Sequence, residues 1–268
     1  MSRRAFLGTA VALTREGRGQ SVLDLPATQP DARIPYGSDP NQFGEIRVPV
    51  RKGPHPVILF VHGGFWRAAY DLKHAGHLCA ALTHAGFATW SLEYRRIGQK
   101  GGGWPGTQED VRHGAEHLSQ LQRRYDLDLT RVIAAGHSAG GQLALWLAAQ
   151  LAVPLRGVVP LAAVSDLRRA WSLKLSGGVV AEYLGGTPEQ VPERYSSSSP
   201  IELLPIGVPQ RVLHGRADDV VPFEMSERFV HVSKNAHLVP FEGAGHFDLI
   251  DPRSPIWPVV QKNMTEWK

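Results

Sequence analysis

The sharpest hydrophobic signal is Val57-Ile58-Leu59-Phe60-Val61, a continuous apolar run rich in β-branched side chains, which is the pattern of a strand buried on both faces. It stops abruptly at His62-Gly63-Gly64. Upstream, residues 42–50 alternate weakly through Phe43, Ile46 and Val48, as an edge strand does, and Lys52-Gly53-Pro54 supplies a turn. Downstream, helical and strand-like patterns interleave. A helix is predicted over 72–84, a strand over 87–92, a helix over 108–125, a strand over 132–135 and an apolar helix over 142–151. Strands over 157–161 and 210–213, a helix over 224–232, a strand over 237–241 and a terminal helix near 255–267 follow. This βα alternation predicts an α/β fold with a mostly parallel central sheet and helices on both faces. In such sheets functional groups gather at the carboxyl ends of the strands.

Two stretches break the rhythm. Residues 14–40 are rich in Gly, Pro, Gln and Asp without periodicity, so residues 1–40 read as an N-terminal arm and 41–268 as the domain proper. Residues 166–200 carry Trp171, Gly177-Gly178, Tyr183, Gly185-Gly186 and a serine run at 196–199, with no strand signal. They predict a small cap inserted over the strand ends; a long surface connection is the plainer alternative. No internal repeat is visible.

Composition narrows the classes. At 268 residues, one large domain is favoured over two, and 43% apolar with 20% charged residues excludes disorder for the bulk of the chain. The single cysteine, Cys79, excludes an internal disulfide, a CxxC pair and a Cys-rich zinc site. The 12 histidines leave metal binding open on paper, while 28 Gly and 20 Pro imply many tight turns. The net charge of +4 is scattered and comes with no nucleic-acid motif, so no nucleic-acid partner is expected. No apolar stretch reaches the ~18 residues of a membrane span, so no membrane partner is expected either. Ser2-Arg3-Arg4-Ala5-Phe6-Leu7 looks like a twin-arginine export signal with an apolar run to Leu13 behind it. Arg15, Glu16 and Arg18 interrupt that run, and cleavage after Ala10-Val11-Ala12 would leave about six apolar residues against the usual ~7–15. A cytoplasmic protein is therefore expected, with export as the alternative. Oligomeric state is not legible.

The chemistry begins at Gly136-His137-Ser138-Ala139-Gly140, a GxSxG pattern between the strand at 132–135 and the apolar helix that follows. A serine on so sharp a strand-to-helix turn needs neighbours without side chains, and Gly136 and Gly140 meet that need. The helix amino terminus also favours negative charge developing beside the serine. Ser138 requires a general base to become nucleophilic. His246, in GAGHFD at 243–248 after the last predicted strand, stands where the chain order serine, acid, histidine puts the base. His231 and His237 fall on a helix and within a strand and read as structural or exposed. The acid that orients the base should follow the preceding strand, in HGRADDVVP at 214–222. Asp218 fits the HGxxDxxVP pattern; Asp219 reads as a loop or helix-capping residue, and Asp166, after the strand at 157–161, is a third option. After the buried strand at 57–61, HGGFW at 62–66 offers the amides of Gly64 and Phe65, with that of Ala139, as an oxyanion hole. His62 is expected to brace this loop. Trp66, Trp104, Trp171 and Tyr183 are candidate substrate-pocket walls, with core packing the competing role for Trp66 and Trp104.

Taken in order over residues 42–267, HGGFW, GHSAG, HGRADDVVP and GAGHF resemble the α/β-hydrolase superfamily. HGGFW is similar to the HGGxW signature of the arylformamidases, serine hydrolases that cleave N-formylkynurenine and often aryl or short acyl esters. Glu93-Tyr94-Arg95-Arg96 and Gly101-Gly102-Gly103-Trp104-Pro105 resemble bacterial esterase-like relatives of that group. The resemblance implies an α/β-hydrolase fold with nucleophile Ser138, acid Asp218, base His246, a hole at Gly64, Phe65 and Ala139, and no cofactor. The expected substrate is a small or aryl carboxylic ester, with the N-formylkynurenine formamide as the alternative.

Two rivals have distinct signatures. His113-Gly114-Ala115-Glu116-His117 fits the HxxEH zinc-hydrolase pattern on a predicted helix, yet Arg112, Ser119, Gln120 and Arg123 around it describe a solvated face. A noncatalytic ligand-binding protein of the same fold commonly lacks the acid or base, and here both are present.

Overall fold

The computed structural model describes residues 21–267. Its single sheet contains β1 (Ala32–Pro35), β2 (Phe43–Arg47), β3 (His55–Val61), β4 (Ala88–Leu92), β5 (Leu127–His137), β6 (Gly157–Leu161), β7 (Gln210–Gly215) and β8 (Ala236–Phe241), in the spatial order β1-β2-β4-β3-β5-β6-β7-β8. β1 and β2 run antiparallel to their neighbours, and every other pairing is parallel. The expectation of an edge strand over 42–50 is corrected here. β1 lies outside β2, pairing Ala32 with Ile46 and Ile34 with Gly44. Four residues are too few to show alternation in a Pro-rich segment, and the backbone ladder itself holds them. The packed body thus takes in residues from the stretch read as an arm, Val22 included, whose side chain is buried. The twin-arginine-like start lies outside the described residues.

Nine helices accompany the sheet among the described residues: α1 (Gly76–His84), α2 (Gly106–Glu116), α3 (Leu118–Tyr125), α4 (Ala139–Gln150), α5 (Leu167–Ser172), α6 (Val179–Leu184), α7 (Pro192–Ser198), α8 (Glu224–Val232) and α9 (Trp257–Thr265). The single helix expected over 108–125 is two, meeting at His117. Strand alternation divides the core. Val57, Leu59 and Val61 of β3 face a cluster with Val111, Leu118 and Leu143, whereas Ile58 and Phe60 face one with Leu78, Leu82 and Val260. Because β3 is buried over its whole length, both faces of the sheet are covered, which is why its sequence is apolar without alternation. Residues 166–200 fold as the short helices α5, α6 and α7, with Lys174, Ser176, Gly177 and Gly178 all at positive φ between α5 and α6. No helix among the described residues is long and apolar enough to cross a membrane.

Candidate active site

Parallel pairing brings the ends of β3, β5, β6, β7 and β8 to one rim, with Val61 opposite Gly136 and His137 opposite Leu161. The functional segments all depart from that rim. Ser138 follows β5 directly, at φ 58° and ψ −120°, and α4 begins at the next residue. A backbone so placed costs on the order of 1–3 kcal/mol in a non-glycine residue and persists only where its surroundings hold it. They do. The Ser138 amide donates to Leu161 at 2.8 Å, and its carbonyl accepts from Gln142 at 3.2 Å. A Cβ on Gly136 would sit 2.2 Å from the Gly140 carbonyl oxygen, and one on Gly140 would sit 2.1 Å from that of Val61. Each glycine therefore permits a close backbone approach that any side chain would block.

His246 opens the turn after β8, where Asp248 accepts from the Gly245 amide at 2.7 Å. Its Nδ1 lies 2.7 Å from Asp218 Oδ2, so the proton sits on Nδ1 and Nε2 is left as the basic nitrogen. Asp218 is held on every side. Oδ1 accepts from the amides of Val220 and Val221, and Oδ2 also faces His214 Nε2 at 3.1 Å. Burial would raise the Asp218 carboxyl, but the hydrogen bonds from His214 and His246, with the Val221 amide, hold it well below the ordinary carboxylate range. His214 in turn accepts at Nδ1 from the Ser226 hydroxyl at 2.7 Å, which fixes its donor toward the carboxylate. The other two acids stand elsewhere. Asp219 is exposed, and it does not cap α8, which has no side-chain cap. Asp166 caps α5 through the Arg169 amide and pairs with Arg228 at 3.0 Å.

His137, just before Ser138, packs on the His246 ring with centroids 4.3 Å apart, and its Nε2 donates to the His246 carbonyl at 3.0 Å. Burial and the neighbouring His246 push the His137 imidazole far below its ordinary value, so it stays neutral.

The loop after β3 runs through Gly64 at φ 109°, Phe65 at φ 50° and Trp66 at φ 57°, three successive residues in the left-handed region. A Cβ on Gly63 would meet the Ser138 Cβ at 3.0 Å, which places this loop directly against the elbow. Among the described residues, no protein acceptor takes the N–H groups of Gly64, Phe65 or Ala139. Free amides beside a serine are what an oxyanion requires. Below the loop, His62 faces the Glu93 carboxylate at 3.1 Å and stacks on Tyr94, whose hydroxyl donates to the His62 carbonyl at 2.8 Å. Glu93 also pairs with Arg96 at 3.2 Å and accepts from the Leu72 amide at 3.1 Å; burial opposes its charge, yet His62, Arg96 and that amide hold its carboxyl below the ordinary range. Arg96 also donates to the Tyr70 carbonyl. The bracing role expected of His62 thus falls to a buried network that includes Glu93 and Arg96. Their advance signal is the Glu93-Tyr94-Arg95-Arg96 segment flanking a strand, which the resemblance marked without giving it a role.

The expected pocket walls separate. Trp66 and Tyr183 stack face to face with centroids 4.3 Å apart, and both are fully buried. Having no accessible surface, they are core rather than wall, a correction for both residues. Trp104 is half-buried under the Arg194 guanidinium at 4.5 Å, and its amide donates to Tyr183 at 2.8 Å. Trp171 is half-buried on α5. The aromatics exposed beside the site are Tyr70, against which Gly64 packs, and Phe247, which meets the edge of His246 at 5.1 Å. The HxxEH residues point elsewhere: Arg112 engages both His113 and Glu116, and His117 packs near Trp90. Among the described residues, no group of three or more His, Cys, Asp or Glu could hold a metal.

A family model described as BD-FAE matches residues 45–232. Esterase LipC of Mycobacterium tuberculosis is 28% identical over 249 residues, covering 82% of this chain and 60% of the relative. A probable isoprenylcysteine alpha-carbonyl methylesterase of Oryza sativa is 28% identical over 245 residues, covering 80% of this chain and 57% of its own. The chain thus spans about 60% of the length of these curated relatives. Among solved structures, an inhibited esterase B from Lactobacillus rhamnosis superposes with a TM-score of 0.76 at 18% identity, covering 90% of this chain and 87% of that one. The eight-stranded sheet with its flanking helices is the α/β-hydrolase fold.

Proposed function

Starting from the fact that this chain belongs to the BD-FAE family of α/β-hydrolase esterases, we propose that it hydrolyses a small or aryl carboxylic ester through a serine acyl-enzyme. Ser138 attacks the ester carbonyl, and His246 Nε2 takes its proton and returns it to the departing alcohol. Asp218 keeps the imidazole oriented and stabilises it when charged, and the amides of Gly64, Phe65 and Ala139 receive the oxyanion. Water activated by the same histidine then releases the acid. The reaction needs no cofactor. The observation that carries this reading is the 2.7 Å bond between Asp218 and His246 Nδ1, formed at the strand rim that also presents an elbow serine. Relatives named as esterases support the bond class. A short acyl group is favoured because Ser138 and His246 are only 2% and 4% exposed.

Turnover of nitrophenyl esters of increasing chain length, beside N-formylkynurenine, tests it. Rapid cleavage of the short esters with an acylation burst is the expected result, and Ser138→Ala should lower kcat by about 10⁶. A large preference for the formamide would select the arylformamidase reading suggested by HGGFW. Absence of any burst would favour a noncatalytic binding protein, and activity retained in Ser138→Ala would overturn the mechanism.

A further inference from the structure

The two halves of the candidate oxyanion hole come from different elements, the loop after β3 and the start of α4, and one side chain spans them. Gln142 is fully buried, and its backbone amide is bonded to the Ser138 carbonyl. Its Oε1 accepts from the Trp66 indole N–H at 3.1 Å, and its Nε2 donates to the Ser198 carbonyl of α7 at 2.8 Å. Trp66 is itself at φ 57° and follows Phe65 at φ 50°. A backbone held in that region relaxes when its anchors are lost. Its other anchors are the Ile97 amide on the Trp66 carbonyl at 2.8 Å and the Tyr183 ring stacked on the indole. Among the described residues, the Gln142 bond is the one hydrogen bond that ties the loop to the nucleophile's own helix.

We propose that Gln142 is a positioning residue that sets the spacing between the Gly64 and Phe65 amides and Ser138 by strapping Trp66 to α4 and to the cap. The role rests on the esterase reading above. Substituting Gln142→Met keeps the length and removes both bonds; Trp66→Phe removes the indole donor and keeps the stacking surface.

The test is kcat for a short nitrophenyl ester, expressed per active site titrated with a phosphonate, together with the ¹⁵N–¹H resonance of the Trp66 indole. Each single variant is expected to lose roughly tenfold to hundredfold in kcat with KM nearly unchanged, since a displaced amide weakens the transition state more than the bound substrate. The double variant should be no worse than the worse single. The indole N–H signal should move upfield in Gln142→Met. A purely structural role would lower Tm and the titratable fraction but leave kcat per site unchanged, and that result overturns the proposal, as does an additive double variant. Should Gln142→Met fold poorly, Trp66→Phe with retained kcat per site overturns it equally. A wild-type protein inert to both ester and phosphonate removes the esterase reading and this role together; an active wild type with an unaffected variant removes this role alone.

Discussion

Asp218 shows how one carboxylate is selected from two neighbours. Its side chain is enclosed between two imidazoles and two backbone amides, whereas Asp219 points to solvent. Asp218→Asn should lower kcat by about 10⁴, because an amide cannot hold the productive tautomer of His246. Asp219→Asn should change kcat less than twofold, and steady-state kinetics on both variants decides the assignment. The carboxyl also carries a stability signature. Its folded value is depressed, so it contributes stability in full above the unfolded value of about 4, and that contribution disappears as pH falls below it. Acid titration of Tm should therefore show a step below pH ~4 that Asp218→Asn lacks.

At the scale of elements, the elbow exists because two backbones touch through glycine. Gly140→Ala would drive a methyl into the Val61 and His62 carbonyl oxygens, at 2.1 and 2.3 Å. A loss of about 3 kcal/mol or more is expected, read from urea denaturation, together with loss of phosphonate labelling as Ser138 shifts. The turn before α1 places half-buried His74 beside His62, with rings 5.7 Å apart. Burial and the neighbouring His62 lower the His74 imidazole to about 4, and burial with the neighbouring His246 lowers His137 in the same direction. Both fold as neutral rings and take up protons more readily when unfolded. Their contribution is complete above the unfolded value of about 6.5 and is lost as pH falls toward the folded values. Tm should therefore decline between pH ~6.5 and about 4, and His74→Gln should flatten that decline. Much of this level was legible in the chain. The helix at 224–232 and the strand at 157–161 have the expected bounds because each is one apolar pattern ending at a turn signal. The division of the helix expected over 108–125 was hidden, because the buried spacing of Val111, Ala115, Leu118 and Leu121 runs on from α2 through His117 into α3.

Across the whole molecule, the candidate site occupies one end of the sheet and Trp267, after α9, packs on the other. Trp267 lies against Gly157 at the start of β6, with Arg211 stacked 4.1 Å over its ring. The site begins beyond Leu161, about 13 Å further along the strand at ~3.3 Å per residue. Trp267→Ala should lower stability by about 1–3 kcal/mol while leaving kcat per titrated site unchanged. Chemical denaturation paired with active-site titration checks both halves.

The order of apolar runs, glycine turns and reactive side chains determined the parallel sheet and the strand-turn-helix around Ser138, and put Asp218 ahead of Asp219 and Asp166 as the partner of His246. Each of these depends on local pattern and chain order, which the residues carry by themselves. Only the tertiary structure placed β1 outside β2, buried Trp66 and Tyr183 against each other in the core, and assembled Glu93, Arg96 and Gln142 around the loop after β3. Those outcomes depend on contacts between residues far apart in the chain, such as Trp66 with Gln142, where a polar side chain inside a core is worth its burial only when a specific partner meets it.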